Sequence, residues 1–86
     1  MSTLSKMSAF DSIKVKVQED GDVELTKVAS INQLEAFSGD ALYFGISEIA
    51  DGGLDSELIS YGCDPDRVKE AIDEVLTSEY NETIKV

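Results

Sequence analysis

The sequence predicts an α+β fold, in which a small antiparallel sheet (an N-terminal β-hairpin plus a C-terminal strand) is covered by three to four short helices. Near both ends of the chain, apolar side chains alternate with polar ones, as in half-buried strands. Between these regions, apolar residues recur three and four apart, as on one face of a helix. Because 86 residues are enough for one core, we expect a single acidic α+β domain over 11–86 and a loosely ordered segment over 1–10.

A β-hairpin is predicted from Ser12 to Ala29. The alternation runs through Ile13–Val17 and resumes in Val23–Val28. Between the two runs lies Asp20-Gly21, the dipeptide that type I′ hairpin turns prefer. An isolated hairpin is marginal in water, so its apolar face must pack against other elements. Glu82–Val86 also alternates and is predicted to pair with an edge of this hairpin.

Helices are predicted at three places after the hairpin. Residues 30–39 begin with a capping box and end at a glycine, and residues 55–62 begin with an aspartate and end at a glycine. The third helix opens at 64–65, where Pro65 occupies the first helical position. Its apolar stripe is predicted to consist of Val68, Ala71, Ile72, Val75, Leu76 and Tyr80.

The segment from Asp40 to Gly53 fits two structures. As a helix it would be capped by Asp40 and would end at Gly52-Gly53, with one face formed by Leu42, Ile46 and Ile49. As a strand it would alternate Leu42, Phe44 and Ile46 with Tyr43, Gly45 and Ser47. The aromatic residues and Gly45 favour a strand over 41–47, while 48–51 continues better as a helix. Of the two structures, the helix is favoured for the segment as a whole.

The charge of the chain excludes several classes of function. Eighteen acidic and seven basic residues give a net charge of −11. A protein that binds nucleic acid through its phosphates needs the opposite sign, and an anionic membrane surface would repel this chain. No apolar run is long enough for a transmembrane helix, and residues 1–10 lack the apolar region of a signal peptide. The single cysteine, Cys63, fits a reducing compartment, so we expect a cytoplasmic protein.

Catalytic and metal chemistry is not expected. Histidine, the commonest general acid–base and a common metal ligand, is absent. Cys63 precedes a helix start, but Asp64 and Asp66 oppose formation of its thiolate. The acidic turns at 19–22 and 51–57 lack the ligand spacing of a calcium loop. We therefore expect no catalytic residues, no cofactor and no bound metal.

Gly53-Leu54-Asp55-Ser56 resembles the phosphopantetheine site of acyl carrier proteins, where the modified serine belongs to an Asp-Ser-Leu motif. The resemblance covers four residues and fails at the next, where Glu57 stands in place of leucine. It would imply an all-helical fold and modification of Ser56, whereas this chain begins with a predicted hairpin. An acyl-carrier-like protein is therefore the least favoured of the functions considered.

The acidic residues concentrate in the second half of the chain. No basic residue occurs between Lys27 and Arg67, and the net charge of residues 31–60 is −6. One interpretation is that surplus carboxylates keep a small protein in solution. The interpretation we favour is that they imitate a nucleic-acid backbone and bind a basic surface of a partner. The candidate partner-binding residues are Glu35, Asp40, Glu48, Asp51, Asp55, Glu57, Asp64, Asp66, Glu70 and Asp73.

The sequence therefore favours a non-enzymatic inhibitor that blocks a nucleic-acid-binding surface of a nucleic-acid-processing protein. Phage antagonists of host defence, of the anti-restriction or anti-CRISPR kind, are an analogy of size and class. The alternative is a protein-interaction module or homodimer that uses an apolar patch or a sheet edge. Its anchors would be Tyr43, Phe44 and Tyr61.

Overall fold

A computed structural model describes residues 10–29 and 41–86. The elements in these ranges, in chain order, are β1 (Ser12–Val17), β2 (Val23–Val28), β3 (Ala41–Gly45), α1 (Ile46–Ala50), α2 (Gly53–Ser60), α3 (Pro65–Thr77) and β4 (Thr83–Lys85). The four strands form one antiparallel sheet in the order β3-β1-β2-β4, which confirms the predicted α+β fold. Most of the predicted loosely ordered segment (residues 1–9) and the predicted helix over 30–39 lie outside the described residues.

The hairpin is confirmed, but its turn differs from the predicted type I′ turn. The amide of Gln18 donates to the carbonyl of Asp22 at 2.7 Å, and the amide of Gly21 donates to the carbonyl of Gln18 at 3.0 Å. A type I′ turn needs positive φ at both central residues. Gly21 has φ 93°, whereas Asn81 is the non-glycine residue with positive φ in the described ranges, so Asp20 does not meet this need. The hairpin therefore closes with a three-residue loop over 19–21, with glycine in the left-handed position.

One face of the sheet packs against α1 and α3, and α2 packs against these two helices. Ile13, Val15 and Leu25 are at most 2% exposed, and they alternate with residues that point away from the helices. We call the helix-facing side the covered face and the other side the open face. The core that joins the covered face to the helices consists of Ile13, Val15, Val23, Leu25, Ile49, Leu54, Leu58, Val68, Ala71, Ile72, Val75 and Leu76.

The preference for a helix was wrong for the first half of the segment 41–50. Residues 41–45 form β3, whose register with β1 pairs Phe44 with Ile13 and Leu42 with Val15. The chain turns into α1 directly at Ile46, and Ile49 is buried in the core. Pairing with β1, a segment distant in sequence, selects the strand where the local pattern permitted both structures.

The predicted starts of α2 and α3 and the predicted extension of α3 had different outcomes. α3 begins as predicted, because the carboxylate of Asp64 accepts a hydrogen bond from the amide of Arg67 at 3.1 Å. α2 does not begin at Asp55, which lies in its first turn; the N-cap is Gly52. Tyr80 does not extend the stripe of α3, because this helix ends at Thr77.

The end of α2 matches its predicted glycine stop. Gly62 has φ 92°, and its amide donates to the carbonyl of Ile59 at 2.9 Å. The next amide, that of Cys63, donates to the carbonyl of Leu58 at 3.3 Å. These two bonds form a Schellman motif, which requires a left-handed residue that glycine adopts without strain. The motif turns the chain sharply toward the start of α3.

A buried lysine links the sheet to the end of α3. Lys27 lies on the covered face with 7% of its surface exposed. Its ammonium donates to the carbonyls of Leu76 at 3.3 Å and Ser78 at 3.2 Å, and it stands 5.1 Å from the centre of the Tyr80 ring. The hydroxyl of Tyr80 lies 3.0 Å from both carboxylate oxygens of Asp11. The hydrogen bond to Asp11 raises the pKa of Tyr80, with smaller contributions from burial and from the negative charge of Asp11.

Candidate partner-binding face

The described candidate acids lie on the three helices and the turns that join them. We call residues 46–77, which contain α1, α2 and α3, the helix layer. This layer has nine acidic and two basic residues, a net charge of −7. Glu35 and Asp40 lie outside the described residues. The candidates that the structure places in the helix layer are Glu48, Asp51, Asp55, Glu57, Asp64, Asp66, Glu70 and Asp73, all exposed except the half-buried Asp55 and Glu57.

The longest helix presents a stripe of carboxylates on its outer side. With about 100° of rotation per residue, Asp66, Glu70 and Asp73 lie opposite the buried face of α3. The rise of about 1.5 Å per residue places them about 6 Å and 4.5 Å apart along the helix axis. A DNA strand has one charge per about 3.4 Å of axis, so the number of charges per unit length in this stripe is about half to three-quarters of that in DNA. Carboxylates from α1 and α2 are therefore needed to approach the charge of a nucleic acid.

The open face of the sheet is weakly basic, because its strands have three lysines and one acid, Glu24. Lys14 and Lys16 alternate with buried residues of β1 and therefore point away from the helices. Lys85 pairs with Glu24 in the register of β4 with β2, which places it on the same face. The fold thus separates three lysines from the acidic helix layer by the thickness of the sheet. The sequence contained the signal for two of them, in the period-two alternation of β1.

Among the described residues, the ion pairs involve few of the candidate acids. Arg67 pairs with Glu74 at 2.9 Å and with Glu70 at 3.5 Å, and Lys85 pairs with Asp22 at 3.9 Å. The hydrogen bond to Glu74, followed by the charges of Glu74 and Glu70, raises the pKa of Arg67 against a smaller effect of burial. Arg67 also donates to the carbonyl of Lys85, which ties α3 to β4. These pairs do not include Glu48, Asp51, Asp55, Glu57, Asp64 or Asp66.

Two candidate acids have structural tasks. Asp64 caps α3, as described above, so its carboxylate supports the fold. Glu57 accepts a hydrogen bond from the hydroxyl of Tyr61 at 2.7 Å. This bond, together with partial burial and the negative charge of Glu57, raises the pKa of Tyr61 to about 12. Asp51 and Asp66 are exposed carboxylates of the same layer; because Asp66 lies in the first turn of α3, a binding test that reverses it also measures the stability of the variant.

The anchors of the alternative function are only partly at the surface. Phe44 packs against the core, and Tyr43 is half-buried beside Lys14 on the open face. Tyr61 is 40% exposed, with its hydroxyl bound to Glu57. The structure therefore does not bring these three aromatic side chains together as one exposed apolar patch.

Two of the acids in and beside the hairpin turn accept hydrogen bonds from neighbouring residues of the hairpin. A cleft beside this turn is lined by Glu19, Asp20 and Asp22, together with Glu24 and Lys85. The carboxylate of Asp20 accepts a hydrogen bond from the amide of Asp22 at 3.0 Å, and the carboxylate of Glu24 accepts one from the side-chain amide of Gln18 at 2.6 Å.

In the described ranges, no three side chains of the metal-binding types converge. Within the same ranges, no helix has the length and apolar character needed to cross a bilayer.

Comparison with known proteins gives no family for this chain. No protein-family model matches it, and no match was found among curated proteins or solved structures. The four-stranded sheet also differs from the all-helical fold that a resemblance to acyl carrier proteins would imply.

Proposed function

We propose that this protein is a non-enzymatic binding protein whose helix layer blocks a basic, nucleic-acid-binding surface of a partner in the cytoplasm. One observation carries the proposal: the helix layer has a net charge of −7, while Lys14, Lys16 and Lys85 lie on the opposite side of the sheet. A charge made only for solubility has no need of this separation, because net charge alone keeps a protein in solution.

The separation of charge also orients the encounter. A basic partner is attracted more strongly by the helix layer than by the open face, so the acidic side approaches first. Association steered in this way is fast at low salt and slows as ions screen the charges, over a Debye length of about 8 Å at physiological ionic strength. An inhibitor of this kind resembles the DNA mimics used by phages against host defence in its size and charge, and the analogy extends no further.

The test is a competition with duplex DNA. A partner is first captured from a cell lysate on the immobilised protein and identified by mass spectrometry. Fluorescence anisotropy then follows release of labelled DNA from that partner as the protein is added. We expect the protein to displace the DNA, and we expect its affinity for the partner to fall as salt rises. If the partner binds the protein and the DNA at the same time, the proposal is wrong.

Two variants of equal charge separate a local surface from net charge. Asp51→Lys with Asp66→Lys changes the net charge from −11 to −7 within the helix layer, and Glu19→Lys with Glu79→Lys makes the same change outside it. We expect the first pair to weaken binding at least about tenfold more than the second. If both pairs weaken binding equally, the effect is due to net charge. If the first pair leaves binding unchanged, Asp51 and Asp66 are not part of the interface.

A further inference from the structure

Among the described residues, the outer edge of β3 has no paired strand, since β3 is an edge strand in the order β3-β1-β2-β4. Proteins usually protect such edges with charged residues, prolines, bulges or very short strands. The sequence of β3 is Ala-Leu-Tyr-Phe-Gly, which has neither a charge nor a proline. The other edge strand, β4, is only three residues long and contains Lys85.

The register shows which backbone groups point outward. The bond from Gln18 to Asp22 sets the alternation of the hairpin, so Ile13 and Val15 direct their backbone groups toward β3. Their partners Phe44 and Leu42 use their amides and carbonyls in that ladder. Ala41 and Tyr43 therefore direct their amides and carbonyls away from the sheet, where a further strand can bind them.

The two sides of this edge differ in chemistry. On the covered face, Leu42 is 46% exposed, and Val17, its diagonal neighbour on β1, is 44% exposed. The exposed Glu48 and the exposed Asp51 follow on α1 and its end, on that same side of the sheet. On the open face, Lys14 pairs with Tyr43 one strand inward.

We propose that the outer edge of β3 binds an extended, basic segment of the partner as a fifth strand of the sheet. Side chains of an added strand alternate between the two faces. Basic side chains of the segment would lie on the covered face, where their stems cover Leu42 and their charges lie on the side of the acidic helix layer. Neutral side chains would lie on the open face, since Lys14 repels a cation there. This inference rests on the proposed function, because it takes the partner to be basic.

A second copy of this chain fits the edge less well. Each copy has a net charge of −11, so pairing would bring two like-charged molecules together. A basic segment meets no such repulsion, because its charge is opposite to that of the chain. Charge therefore favours a partner strand over self-association, and self-association becomes one of the outcomes that the experiment can detect.

The test uses two synthetic peptides of equal charge. One alternates arginine with threonine, and the other alternates arginine with proline, which cannot donate the ladder hydrogen bonds. Calorimetry should show that the threonine peptide binds at least about tenfold tighter than the proline peptide, since proline lacks the amides that donate to the carbonyls of β3. Amide exchange at Ala41 and Tyr43 should slow in the presence of the threonine peptide alone.

A substitution in β3 provides the matched control. Tyr43→Pro removes an outward amide and no bond to β1, so this edge strand tolerates it. We expect it to reduce binding of the threonine peptide to the level of the proline peptide, while Tyr43→Ala retains tight binding. The exchange measurement uses the unaltered chain and remains decisive if Tyr43→Pro does not fold.

The remaining outcomes overturn the inference in distinguishable ways. If both peptides bind equally and Asp51→Lys with Asp66→Lys weakens both, the acidic face stands and the strand addition is wrong. If neither peptide binds, the strand addition is also wrong, and the competition with DNA decides the proposed function separately. A dimer in analytical ultracentrifugation that Tyr43→Pro converts to monomer would assign the edge to a second copy.

Discussion

Replacing Lys27 by methionine tests whether a buried cation stabilises this fold. Methionine retains the length and apolar stem of lysine, so the substitution removes the ammonium without opening a large cavity. α3 has no basic residue in its last turn, and Lys27 supplies a cation to that end from the neighbouring sheet. We expect the free energy of unfolding to fall by about 2 kcal/mol.

The magnitude follows from the contacts of the ammonium. Its hydrogen bonds to the carbonyls of Leu76 and Ser78, at 3.3 and 3.2 Å, each contribute about 1.5–3 kcal/mol because the donor is charged. Its position 5.1 Å from the centre of the Tyr80 ring adds about 0.5–1 kcal/mol. Removing the charge also removes the cost of dehydrating it, which is several kcal/mol for a buried ion. The dehydration cost that is removed offsets about half of the contact energy that is lost.

Urea denaturation followed by circular dichroism measures this change. In a domain of this size, a loss of about 2 kcal/mol corresponds to a Tm lower by about 8–16 °C. Lys16→Met is the matched control, since this exposed lysine on the open face should change stability by no more than about 0.5 kcal/mol. If Lys27→Met is as stable as the unaltered chain, the contacts of the ammonium only offset the free-energy cost of burying its charge, and the reasoning is refuted.

Three further predictions concern single side chains. Asp64→Ala should lower the free energy of unfolding by about 1 kcal/mol in urea denaturation, because it removes the acceptor of the Arg67 amide. Absorbance titration should show Tyr61 ionising near 12 instead of 10, so the contribution of its bond to Glu57 is intact below pH 10 and lost as the pH rises through 12. Leu58→Ala should cost about 2–5 kcal/mol by the same denaturation assay, since this side chain is fully buried; a smaller loss would show that the core collapses around the cavity.

The sequence predicted best the elements whose signals are local. For α3, the proline at its first position, the capping carboxylate of Asp64 and the spacing of its apolar residues all agree, and the structure has this helix at the predicted start. The alternation of β1 and β2 likewise identified the hairpin. In both cases one segment of chain contains the whole pattern, so no knowledge of distant contacts is needed.

Elements selected by distant contacts were harder to predict. The pattern of residues 41–45 suits a helix or a strand, and the pairing of Phe44 with Ile13 decides for the strand. The type of the hairpin turn depends on the φ of Asp20, which the dipeptide Asp20-Gly21 does not fix. The candidate acids were predictable as exposed residues, because carboxylates are rarely buried. The opposing lysines were not predictable as a group, because the position of Lys85 follows from its pairing with Glu24.

The charges of this protein divide into those that the fold needs and those that it does not. The alternation that buries Ile13 and Val15 also places Lys14 and Lys16 on the open face. A register shift of one residue would therefore place the two lysines in the core and expose the apolar residues. Asp51 and Asp66 have no such link to the core, and repulsion among the carboxylates of the helix layer lowers the stability of the compact state. Asp66 also lies in the first turn of α3, where an acid stabilises the helix by about 0.3–1 kcal/mol, so reversing both acids should weaken binding while the fold is retained with a small loss of stability.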